Sequence, residues 1–176
     1  MFQLLYDPVS EIKKAKKQSY ARILMYLLTA SLFETIGILF IAWRYFRDWL
    51  STNMLVNGVV GLLFGLVVAH LFFALFYSIA MHVLDGKGGY YEGLSTLVLS
   101  MVAPAIATFF AGASLFIPFG VFIAAILLAY GYVLGAATLF RAGKELFELD
   151  YSGVLIGFLI TVVPFGFACV LLKLLL

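Results

Sequence analysis

The sequence predicts an all-α integral membrane protein, a single domain over residues 1–176 built as a five-transmembrane-helix bundle. Three observations carry this. From Gly93 to Phe140 there is no charged side chain for forty-eight residues. A hydrocarbon core of about 30 Å takes roughly 20 apolar residues per helical crossing, so that segment makes two crossings with a turn between them. Hydrophobic residues make up 65% of the chain and charged ones 11%, so little is left for a separate soluble domain beside the spans. The charges also gather in short clusters that close the apolar runs, as between Asp85 and Glu92.

The elements follow in order. Residues 1–20 form a short basic segment, in which Asp7 suits an N-cap, Pro8 the first helical position and Glu11 the helix dipole. Lys13, Lys14, Lys16 and Lys17 then either contact anionic lipid headgroups and partners or act as a plain topology signal. Residues 21–43 make the first span, interrupted by Glu34. The apolar run continues past Glu34 without an Ala-x-Ala pattern, so the expectation is a retained span and not a cleaved leader. Residues 56–82 make the second, with His70 inside it.

Residues 93–115 and 118–140 make the third and fourth. Ser114 to Gly120 supplies the turn between them, since Pro118 cannot continue a helix and Gly120 permits a reversal. Residues 151–172 make the fifth, ending beside Lys173. The chain's one cysteine, Cys169, lies in that span, so neither an intrachain disulfide nor a cysteine-based metal site is expected.

The lysines and arginines set the orientation. A cytoplasmic N-terminus places Lys13, Lys14, Lys16, Lys17, Arg22, Lys87, Arg141 and Lys144 inside, and leaves Arg44, Arg47 and Lys173 on the far side with the C-terminus. Eight against three follows the positive-inside rule. The expected location is a cell membrane, multi-pass, with Trp43, Trp49 and the tyrosines near span ends forming interfacial belts.

Helices in lipid associate by close backbone approach, which small residues four apart allow. Gly61 and Gly65, Gly131 and Gly135, Gly153 and Gly157, and Ala103, Ala107 and Ala111 are such seams. They serve packing inside the bundle or self-association of two chains. Pro104 and Pro164 each free a carbonyl four residues earlier, at Ser100 and Ile160, and a kink is expected at each.

Glu34 is the most informative polar residue, because a carboxylate deep in a bilayer normally faces the bundle interior and finds a partner. It lies fourteen residues from Tyr20, about 21 Å into the first span, and His70 lies twelve residues from His82, about 18 Å into the second. Similar depth on consecutive antiparallel spans makes a hydrogen bond or ion pair geometrically reasonable. Two readings follow: a satisfied polar pair that fixes helix register, or the lining of a polar path in a small channel or transporter.

His82 and Asp85, three apart, are the only hint of a metal site, and Glu92, Glu145, Glu148 and Asp150 are placed in the cytoplasmic loops near them. Gly86-Lys87-Gly88-Gly89 lacks the spacing of a phosphate-binding loop and reads as a flexible turn. No Ser-His-Asp order, His-Glu-x-x-His helix or Cys-x-x-Cys pair is present. No catalytic residue, cofactor or nucleic-acid partner is therefore expected, and the lipid bilayer is the first partner.

Asp85-Gly86-Lys87-Gly88-Gly89-Tyr90-Tyr91, followed by a span carrying Ala103-Pro104, resembles the glycine-lysine-aromatic segment and the proline-bearing third helix of the Yip family, the Ypt/Rab-interacting membrane proteins. Asp7-Pro8 is similar to the Asp-Pro that opens many prokaryotic members. The resemblance implies a cytoplasmic N-terminus, a five-helix bundle and a non-enzymatic role, which in eukaryotic members concerns small-GTPase partners and membrane traffic; the reading for this chain is a protein that organises the membrane or partner proteins. Eukaryotic members carry a long cytoplasmic region before the first span, whereas this chain has about twenty lysine-rich residues and looks like the compact prokaryotic type.

Overall fold

The computed structural model describes residues 8–15, 17–47 and 52–175, with the side chains of residues 8, 9, 11, 52–55, 165 and 168–175 left aside. Asp7, Lys16 and Trp49 lie outside the described residues, as do the side chains of Cys169 and Lys173. The order is α1 Pro8–Ala15, α2 Tyr20–Phe46, α3 Thr52–Val83, α4 Tyr90–Ser114, α5 Gly120–Phe147 and α6 Tyr151–Leu175. No strand occurs among the described residues.

α2, α3, α4 and α5 are each long and apolar enough to cross a membrane. α6 is helical for 25 residues, and its stretch Tyr151–Pro164 is apolar. The chain is thus a helical protein of the multi-pass membrane class.

α4 is the axis of the bundle. Its largest interfaces are with α5 and α2, so these three make one layer, and α3 and α6 pack together across it. The sequence explains the choice, because α4 is the helix richest in small and hydroxyl residues where it is buried: Ser95, Thr96, Ser100, Ala103, Ala105, Ala107, Thr108, Ala111 and Gly112. Thin side chains let two neighbouring backbones come close on opposite faces. On the α2 side a Cβ at Gly37 would lie 2.5 Å from the Thr108 carbonyl, and one at Gly112 2.5 Å from the Gly37 oxygen. On the α5 side a Cβ at Gly135 would lie 2.6 Å from Pro104 Cγ and 2.8 Å from the Ser100 oxygen.

The other expected seams divide. Gly157 packs on Met81 of α3, where a Cβ would meet Sδ at 2.8 Å, so this glycine joins α6 to α3. Gly61 and Gly65 are exposed, and among the described residues no atom lies within 4 Å of an added Cβ.

Burial is uneven along the helices. The fully buried residues described in α3 all lie from Ala74 onward, and those in α6 end at Thr161. Both stretches adjoin the 84–89 and 148–150 loops, so among the described residues the α3–α6 pair is most deeply buried at the loop end. Both hydrophobic clusters sit mainly in that half, one around Tyr77, Met81, Leu146, Phe147 and Val154, the other around Ile23, Leu27, Ala74, Leu94 and Val98.

Three junctions differ from the expectation. α5 runs seven residues past Phe140, to Phe147, because Arg141 pairs with Glu145 at 3.0 Å one turn on and Lys144 lies 4.4 Å from the Tyr151 ring. Glu145 is therefore helical and not in a loop, and Glu92 stands in the first turn of α4. Between α4 and α5 it is Phe119, not Gly120, that takes the left-handed conformation, with φ 60°. Gly120 is needed for space, since a Cβ there would run into the Ser114 carbonyl. Nor is the 86–89 turn loose: Gly86 and Gly88 are buried, and the Lys87 N–H donates to the Phe147 carbonyl at 2.9 Å.

Candidate functional site

Two places bring predicted residues together, one at the loop end and one halfway through the bundle. At the loop end, α1 turns Ile12 and Ala15 inward, both essentially fully buried, against the cluster holding Tyr77 and Phe147. Its register then leaves Lys13 and Lys14 exposed, with Lys17 exposed just after it. Ser19 caps α2, its Oγ accepting from the Arg22 N–H at 3.4 Å.

The Tyr91 hydroxyl lies 2.8 Å from the Ala15 carbonyl and 2.7 Å from that of Gln18, and shares its hydrogen between these two acceptors at the end of α1. Tyr20 stacks edge-on against Tyr91 with centroids 4.7 Å apart. Tyr91 thus ties the basic helix to the axis of the bundle. Glu92 accepts from the Gly89 N–H at 2.8 Å and holds the start of α4. Lys87 reaches Glu148 at 3.0 Å on the surface.

Halfway through the bundle, Glu34 of α2 and His70 of α3 line one cavity of about 300 Å³. α4 contributes Leu97, Ser100, Met101 and Pro104 to its wall, α5 Tyr132, Gly135, Ala136 and Leu139, and α6 Phe158. All five long helices therefore meet here. The direct Glu34–His70 bond expected from their matching depth is not formed: His70 Nδ1 bonds to the Leu66 carbonyl of its own helix, and Glu34 has no hydrogen-bond or ion-pair partner among the described residues. The two face a shared space instead.

His82 and Asp85 are both exposed at the end of α3, and no group of three His, Cys, Asp or Glu gathers among the described residues. Sequence reasoning missed Tyr132 and Phe158 as lining residues. Tyr132 carried a signal, being a tyrosine in the middle of a span and not at its end. Phe158 carried none, since phenylalanines are spread through every span.

No family model, curated protein or solved structure matches the chain. Its site must be read from its own geometry.

Proposed function

We propose that this chain is a non-enzymatic cell-membrane protein of five spans, with a cytoplasmic N-terminus and the C-terminus opposite, related to the compact Yip type. Its work is to hold a basic surface against anionic lipid headgroups and the membrane-associated proteins gathered there. The observation that carries the reading is α1: Ile12 and Ala15 are buried against the bundle while Lys13, Lys14 and Lys17 remain exposed. A lysine segment serving only as a topology signal has no need of a docked register.

Further support comes from the loop that carries the family resemblance. Tyr91 bonds to α1, Lys87 bonds through its backbone to the end of α5, and Gly86 and Gly88 are packed. The basic helix, the glycine-lysine loop and the ends of α3 and α5 form one end of the bundle. Each lysine near an anionic surface contributes about 1 kcal/mol.

The test is hydrogen exchange of residues 8–18 in nanodiscs with and without anionic lipid. Exchange slows in the anionic bilayer for the wild type, and the Lys13→Gln, Lys14→Gln, Lys16→Gln, Lys17→Gln variant loses that difference. Equal exchange of the wild type in both bilayers overturns the reading.

A further inference from the structure

The cavity halfway through the bundle plays no part in that reading, and its chemistry is one-sided. Among the described residues Glu34 is the only charged one on its wall, and no lysine or arginine lines it. His70 adds a second acceptor. Its Nδ1 bonds to the Leu66 carbonyl, and since a carbonyl can only accept, Nδ1 carries the hydrogen, so that in the neutral ring Nε2 is the acceptor.

A carboxylate and an imidazole lone pair call for a ligand that donates hydrogen bonds and carries positive charge. A bare metal ion fits poorly, since it would find two ligating side chains and no third among the described residues. The rest of the wall is apolar or aromatic, with Leu97, Met101, Leu139, Phe158 and the Tyr132 ring, and aromatic faces attract cations. About 300 Å³ is the scale of a small organic molecule.

We propose that this cavity binds a small lipophilic ammonium ion, a protonated primary amine, with Glu34 as its counter-ion and His70 as a second acceptor. Among the described residues the titratable groups on the wall are Glu34, His70 and Tyr132, while α4 and α6 contribute none. Binding therefore follows the ionisation of Glu34 and is lost in acid, once that carboxylate is protonated.

The experiment is calorimetry of the full chain in nanodiscs with 2-phenylethylammonium and its neutral analogue, 2-phenylethanol. The wild type binds the amine saturably and the alcohol about tenfold more weakly or worse, because hydrogen bonds to a charged group are the stronger kind. Glu34→Gln lowers amine affinity to the level of the alcohol, and Glu34→Asp, which keeps the charge, retains most of it. Equal affinity for amine and alcohol in the wild type, no saturable amine binding, or unchanged amine binding in Glu34→Gln overturns the proposal. The wild-type comparison decides even if Glu34→Gln does not fold.

Discussion

The Tyr91 hydroxyl lies 2.8 Å from the Ala15 carbonyl and joins α1 to the start of α4 across 76 positions of the chain. Gln18 offers a second acceptor to the same hydroxyl at 2.7 Å, so one oxygen closes the end of α1. Tyr91→Phe keeps the ring stacked on Tyr20 and deletes only this tie. The expected loss is about 1 kcal/mol, with faster exchange confined to residues 8–18. Unchanged exchange there would show that Ile12 and Ala15 alone hold the helix.

The glycines sort by what surrounds them. Gly37→Ala pushes a methyl group into the Thr108 backbone at 2.5 Å, where no side chain can turn aside, and is expected to cost about 1–3 kcal/mol. Gly61→Ala meets nothing within 4 Å and should change stability by less than about 0.5 kcal/mol. Thermal unfolding in one detergent compares them, and equal midpoints would contradict the close α2–α4 crossing.

The Lys87–Glu148 pair contributes little, because both side chains are well exposed, at 78% and 49%. Lys87→Ala should shift stability by less than about 0.5 kcal/mol. Gly88→Val should cost more, since a Cβ there would stand 2.6 Å from the buried Phe147 ring. Unfolding measurements in which Lys87→Ala is the worse of the two would reverse this assignment.

Asp150 gives a pH dependence at the start of α6. It accepts from the Gly153 N–H at 2.6 Å and the Ser152 hydroxyl at 2.9 Å, and these bonds hold its carboxyl below the ordinary 3.8. A depressed value means that the contribution is fully present above the ordinary range and is lost as pH falls through the folded value. Exchange at Gly153 should therefore speed up, relative to the intrinsic rate, only below about pH 4. Asp150→Ala should show the faster exchange at every pH.

The helices were legible because a bilayer demands long apolar stretches, and every predicted span has a helix over it. What the sequence hid was which face of each helix meets protein, since lipid and a dry interface both accept leucine and phenylalanine. α4 could have been singled out by its hydroxyls, and those of Thr96 and Thr108 are buried without a hydrogen-bond partner among the described residues. Glu34 and His70 were placed at matching depth by counting residues along two antiparallel spans. That they face a common space and not each other depends on helix rotation, which depth alone does not report. α5 runs past the apolar stretch to Phe147 because the spacing of Arg141, Lys144 and Glu145 lets them pair within a helix and with Tyr151, which an apolar count does not register.

The enclosure of α4 between α2 and α5 also bears on how the protein is made. A nascent α4 would meet lipid with Ser95, Thr96, Ser100 and Thr108 on its surface and with the groove for α5 unfilled. Only residues 115–119 separate it from its partner, so the ribosome delivers the two almost together. They would leave the insertion machinery as one hairpin, with the partner's glycines already seated.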